Sequence, residues 1–146
     1  MQTLVLGLGN LLLADEGVGV HVAQLLLEAD RPDDVVVLDV GNAVLDASPA
    51  IAAAAKVIVV DAMKGGGPPG TVYRVSIDDC ANARPIGSVH GFDLTSVLHL
   101  VGREDSPEVI VIGIEPEVIA WSMELSSAVT AALPHVITSV QRELVP

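Results

Sequence analysis

Hydrophobic positions along this chain alternate between two spacings, and the alternation predicts strands followed by helices. Five segments have the apolar runs or the period-two pattern of strands: residues 2–8, 35–39, 57–61, 71–77 and 109–114. Four segments have helical spacing or helix-start residues: 18–29, a short helix from Ser48, 94–101 after Asp93, and 127–144. We therefore predict an α/β fold, with a single three-layer αβα domain over residues 1–146 and a mostly parallel five-stranded sheet that has helices on both faces.

The two longer helices carry finer predictions. In residues 18–29 the apolar stripe contains Val18, Val22, Leu25, Leu26 and Ala29, and His21 lies on the opposite side, where water would solvate it. In the last helix, Pro134 removes one helical N–H group and predicts a bend. Residues 71–77 suit the edge of the sheet because their pattern is half-buried.

Composition supports this class and excludes several functions. Hydrophobic residues make up 51% of the chain and aromatic residues only 2%, which favours the Val, Leu, Ile and Ala filling of a helix-covered parallel sheet. The net charge of −12, with only seven scattered Lys and Arg residues, argues against nucleic acid and anionic membranes as partners. The apolar start has no basic region before it, and no apolar run is long enough to span a bilayer, so we expect a cytoplasmic protein.

The loop after the first strand carries the strongest chemical signal. It runs from Gly7 and Gly9 to two adjacent carboxylates, Asp15 and Glu16. A dinucleotide-binding loop would need a third glycine at the position of Leu12, and its pyrophosphate would meet two negative charges where a helix should offer bare N–H groups. This loop is therefore predicted to bind a cation, which disfavours a nucleotide-binding regulator.

Two further carboxylates, Asp39 and Asp61, each end a Val-rich strand. Polar groups in open α/β sheets gather at the carboxyl ends of strands, and a buried, unpaired carboxylate is costly. Glu16, Asp39, Asp61 and His90 can all lie at that edge.

Several ordered motifs make the chain resemble the hydrogenase maturation endopeptidases. The first is Gly7-Leu8-Gly9-Asn10 followed by Asp15-Glu16-Gly17-Val18-Gly19-Val20. The others, in order, are residues 57–62 (VIVVDA), 68–71 (PPGT), 88–94 (SVHGFDL) and 112–117 (IGIEPE). The resemblance runs from about residue 3 to the end of the last helix, and several ordered motifs are far more specific than one glycine loop.

The resemblance implies an activity and a set of site residues. The family trims the C-terminal extension from the large-subunit precursor of nickel–iron hydrogenases after nickel insertion. Glu16, Asp61 and His90 match the family's metal ligands, and the relevant ion is nickel that arrives with the substrate. The family's recurrent acidic positions are matched by Asp15, Asp39 and Asp61, which are the candidate catalytic residues. The alternative roles of Asp15 are to cap the helix or to orient a ligand. Both an aspartic-type and a metal-dependent mechanism fit these residues.

Other interpretations compete with this one. A nickel-binding checkpoint or chaperone that does not cut would keep the same ligands. The single Cys80 forms no internal disulfide and lacks the paired residues of a thiol protease, and no Gly-x-Ser-x-Gly elbow supports a serine hydrolase. Trp121 and Met123 are expected in the core, with substrate contact as the alternative.

Overall fold

The computed structural model describes residues 2–76 and 107–144. These contain five strands, β1 Thr3–Leu8, β2 Val35–Gly41, β3 Lys56–Ala62, β4 Val72–Ser76 and β5 Glu108–Ile114. They also contain three α-helices, α1 Val18–Glu28, α2 Ser48–Ala53 and α3 Ser127–Leu144, and two 3-10 turns, Ala14–Gly17 and Val44–Ala47. The helix predicted at 94–101 lies outside the described residues.

The five strands form one sheet in the order β2-β1-β3-β5-β4. The pairs β1–β2, β1–β3 and β3–β5 are parallel, and β4 pairs antiparallel with β5 at the edge. The chain leaves β1 towards β2 on one side and returns past β1 to β3 on the other. The sheet therefore has a topological switch point between β1 and β3, where α/β folds commonly place their sites.

A separate apolar cluster covers each face of the sheet. On one face, α1 and α3 pack against alternate strand residues, including Val5, Ile58 and Ile112. On the other face, α2 packs against the intervening residues, including Leu4, Leu6 and Val59. Because both faces are buried, the central strands are continuous apolar runs, and the predicted three-layer αβα fold is confirmed.

Some local expectations were wrong. Leu25 of α1 is 44% exposed, and Ala23 takes its place on the buried face. His21 is partly buried, and its Nε2 atom is buried with no hydrogen-bond partner among residues 2–76 and 107–144, so it is not solvated as expected. The short helix predicted from Ser48 does begin at that residue, whose hydroxyl donates to the carbonyl oxygen of Leu45.

Close backbone contact explains one glycine in the first helix. A Cβ atom on Gly19 would overlap the carbonyl oxygens of Val60 in β3 and Leu8 in β1. These are backbone atoms of central strands and cannot move aside. The absence of a side chain therefore lets α1 lie directly on the sheet.

We expect Gly19→Ala to lower the free energy of unfolding by about 1–3 kcal/mol, because helix and sheet must separate to admit the methyl group. Urea denaturation measures this change. Glu28→Ala, at an exposed position of the same helix, is the control and should stay within about 0.5 kcal/mol of the wild type. A Gly19→Ala midpoint equal to that of the control would contradict the packing argument.

A helix that spans a bilayer must be both long enough and apolar enough. Within residues 2–76 and 107–144, no helix combines the two properties needed to span a membrane.

Candidate functional site

The site is built on the loop between β1 and α1. Gly9 has a φ of +128°, and a Cβ atom there would overlap the carbonyl oxygen of Glu16. The Asn10 side chain closes the bend, since its Oδ1 accepts a hydrogen bond of 2.9 Å from the Leu12 N–H. The loop then enters the 3-10 turn Ala14–Gly17, which contacts β3. The predicted cation-binding loop thus holds Glu16, partly exposed, at the switch point between β1 and β3.

Asp15 is fully buried and binds a distant part of the chain. Its Oδ2 accepts hydrogen bonds from the backbone N–H groups of Glu117 and Val118 at 2.8 and 2.9 Å. Ser126 donates twice, from its N–H to Oδ1 at 2.8 Å and from its hydroxyl to Oδ2 at 2.7 Å. One carboxylate therefore fixes both ends of the 117–126 loop beside the loop that follows β1.

These bonds decide the protonation state of Asp15. Burial by itself would raise the pKa of the carboxyl, but the hydrogen bonds from Val118, Ser126 and Glu117 outweigh burial and hold the pKa below its ordinary value. Asp15 is thus a buried carboxylate whose oxygens are occupied by protein donors. This geometry favours the role of orienting its neighbour Glu16 over direct contact with a substrate.

Asp61 lies near the carboxyl end of β3 and is 1% exposed. Its Oδ1 accepts a hydrogen bond of 2.8 Å from the Ala62 N–H, and its partner in β5 is Gly113, which has no side chain. Strand alternation puts Asp61 on the same face as Val57 and Val59, the face covered by α2.

Asp39 has a different environment. It is exposed, and its Oδ2 accepts a hydrogen bond of 3.3 Å from the Gln24 side chain in α1. Val35 and Val37 belong to the cluster under α1, so alternation puts Asp39 on the sheet face opposite to Asp61. Asp39 also borders a shallow depression of about 190 Å³, next to the Val44–Ala47 turn.

The predicted residues are therefore only partly brought together. Glu16 and Asp61 flank the same switch point, whereas Asp39 reaches the edge of the sheet from its other face. His90, the third predicted ligand, lies outside the described residues. Within the described parts of the chain, no three His, Cys, Asp or Glu side chains are grouped closely enough to hold a metal ion. The three-ligand site stays a prediction.

A third buried carboxylate, Glu115, follows β5 and organises the loop after β3. Its Oε1 accepts hydrogen bonds from the Gly65 N–H at 3.0 Å and from the Tyr73 hydroxyl at 2.9 Å. The Tyr73 oxygen in turn accepts a 3.0 Å bond from the Gly67 N–H. Burial and the bond to Glu115 raise the pKa of Tyr73, which therefore stays a neutral donor.

Sequence reasoning assigned no role to Glu115 or Ser126. Ser126 had a usable signal, since a serine just before an apolar helical run is a common helix cap, and its Oγ accepts a 3.4 Å hydrogen bond from the Val129 N–H. For Glu115 the only signals were its place at the end of an apolar strand and its membership of the 112–117 motif. The expectation that Trp121 and Met123 lie in the core was wrong, because they are 81% and 59% exposed.

Comparisons with known proteins agree on one group. A family profile described as hydrogenase maturation protease matches residues 20–143. The chain is 34% identical to the hydrogenase expression/formation protein HupD of Rhodobacter capsulatus, over 98% of this chain and 71% of HupD. It is 37% identical to HoxM of Azotobacter vinelandii over 78% of this chain, and the match spans 58% of HoxM.

Solved structures give the same result. The hydrogenase maturating endopeptidase HybD from E. coli superposes with a TM-score of 0.87 at 27% identity, covering 99% of this chain and 92% of HybD. The [NiFe] hydrogenase maturation protease HybD from Thermococcus kodakarensis has a TM-score of 0.83 at 26% identity, covering 99% of this chain and all of that protein.

Proposed function

Since this chain belongs to the hydrogenase maturation protease family, we propose that it is the endopeptidase that removes the C-terminal extension of a nickel-containing hydrogenase large-subunit precursor after nickel insertion. The proposal is supported by a fold shared with such endopeptidases, in which the loop after β1 carries Glu16 and the end of β3 carries Asp61, on the two strands that border the switch point.

We assign the carboxylates of Glu16 and Asp61, together with the His90 imidazole, to recognition of the nickel ion carried by the precursor. Two carboxylates and one imidazole suit a borderline divalent cation and leave coordination positions for the substrate's own ligands. Nickel is then part of the substrate, and its presence reports that the precursor is ready to be trimmed.

The candidate catalytic residues Asp15, Asp39 and Asp61 receive different roles. Asp61 borders the proposed nickel position and is the best placed to orient or activate the attacking water. Asp39 is exposed, so substrate or water can reach its carboxylate. Asp15 acts through Glu16 and the 117–126 loop as a positioning residue. We place the reaction in the cytoplasm.

Nickel gating gives the test of the proposal. Purified protein is mixed with nickel-loaded and with nickel-free large-subunit precursor, and mass spectrometry follows the large subunit. We expect loss of the C-terminal extension from the loaded precursor only, even when nickel is added to the buffer of the other sample. Equal trimming of both precursors would refute gating. Binding of the loaded precursor without cleavage would instead identify a nickel checkpoint or chaperone.

A further inference from the structure

Five apolar side chains form an exposed patch beside the proposed site. The apolar patch consists of Trp121, Met123, Leu12, Ile119 and Val118, whose exposed fractions are 81%, 59%, 50%, 47% and 41%. Trp121 is the only tryptophan of a chain that has only three aromatic residues. Several exposed apolar side chains on neighbouring segments commonly mark a binding surface, and tryptophan is among the residues that contribute most to binding energy.

The backbone under the apolar patch is held in place. Asp15 fixes the two ends of the 117–126 loop, and Ser122 joins its middle to the first loop. The Ser122 N–H donates to the Leu12 carbonyl at 3.0 Å, and the Ser122 carbonyl accepts from the Ala14 N–H at 2.7 Å. A surface ordered before binding loses less conformational entropy when a partner docks.

The position and charge of the patch indicate what docks there. Leu12 belongs to the same loop as Glu16, so the apolar patch adjoins the loop that carries a proposed nickel ligand. The 117–126 loop also carries two exposed carboxylates, Glu117 and Glu124, and the chain has a net charge of −12. An apolar surface with an acidic rim is complementary to a segment that combines apolar and basic side chains.

We propose that the apolar patch is the docking surface for the large-subunit precursor, and that it receives an apolar segment of that protein flanked by basic residues. This inference rests on the proposed function, because it takes its partner from there. Binding at the apolar patch holds the precursor beside the proposed site, so that its C-terminal extension is already aligned when it reaches Glu16 and Asp61. Its residues contribute to binding, not to the chemical step.

Kinetics with nickel-loaded precursor separate these contributions. Trp121→Ala should raise KM about tenfold or more and leave kcat within about twofold. The variant loses a side chain that the bound precursor would bury, but the reacting groups are unchanged. Leu27→Ala is the matched control, since Leu27 is 43% exposed on α1 outside the patch, and it should keep the wild-type KM. The wild-type KM should also rise with salt concentration. A Trp121→Ala KM equal to that of Leu27→Ala would overturn the proposal.

Binding can be followed without cleavage. Protein labelled with 5-fluorotryptophan has a single ¹⁹F resonance, at Trp121, which should shift when loaded precursor is added. A shift without trimming would support docking and refute the protease function. Trimming without a shift would support the protease function and refute docking at the apolar patch. Concentration-dependent dimerisation that Trp121→Ala abolishes would assign the patch to a second copy of this chain and overturn the proposal.

Discussion

Asp61→Asn is expected to slow trimming of nickel-loaded precursor by about a thousandfold or more, because it removes the charge that would bind nickel or activate water. The fold should survive. The asparagine oxygen can still accept the 2.8 Å hydrogen bond from the Ala62 N–H, and the substitution changes neither side-chain volume nor packing. We therefore expect the free energy of unfolding to change by no more than about 1 kcal/mol.

Mass spectrometry of the large subunit over a time course measures the rate, and urea denaturation measures the stability. Asp30→Asn is the charge-matched control, because it removes one negative charge from an exposed residue just beyond α1. It should trim at the wild-type rate. A folded Asp61→Asn protein that trims as fast as Asp30→Asn would remove Asp61 from the mechanism.

Asp15→Ala should have the largest effect on stability. It leaves the N–H groups of Glu117, Val118 and Ser126 without their acceptor in a buried site, which we expect to cost about 3–5 kcal/mol. Ser126→Ala removes one donor to the same carboxylate and the acceptor of the 3.4 Å hydrogen bond from the Val129 N–H, and it should cost about 1–2 kcal/mol. Urea denaturation compares the two variants, and equal costs would contradict the central role of Asp15.

The contribution of Asp15 should also depend on pH. The folded state lowers the pKa of this carboxyl, so its stabilisation is complete above about pH 4, the ordinary range of an aspartate. It is lost as the pH falls further, through the lowered pKa. The difference in unfolding free energy between wild type and Asp15→Asn should therefore be constant near neutrality and shrink below about pH 4. A difference that stays constant down to pH 2 would refute this account.

Parts of the site could be predicted because they depend on local patterns. Asp61 ends an apolar run, Glu16 follows a glycine-rich loop, and parallel strands bring such ends to one edge. The sequence also contains the information that Asp39 and Asp61 lie on opposite faces of the sheet. Counting alternate residues from Val35 to Asp39 and from Val57 to Asp61 gives the face of each carboxylate. Strand ends alone do not distinguish the two faces of a sheet, and so both carboxylates belong to one predicted set.

The role of Asp15 could not be predicted in the same way. Its partners lie 102–111 residues away along the chain, and most of them are backbone N–H groups. Almost any residue type supplies such a group, so the residue types at these positions do not reveal it. The exposure of Trp121 has a similar cause. It depends on how the 117–126 loop is fixed against the loop after β1, and apolar character alone favoured the core.

The sequence by itself determined the order of strands and helices, the αβα class and the family resemblance. These follow from spacing and residue type, which are local properties. Only the tertiary structure decided the burial of Asp15, whose carboxylate accepts four hydrogen bonds, and the formation of the apolar patch around Trp121. These depend on contacts between segments more than a hundred residues apart, because only folding determines which backbone groups meet.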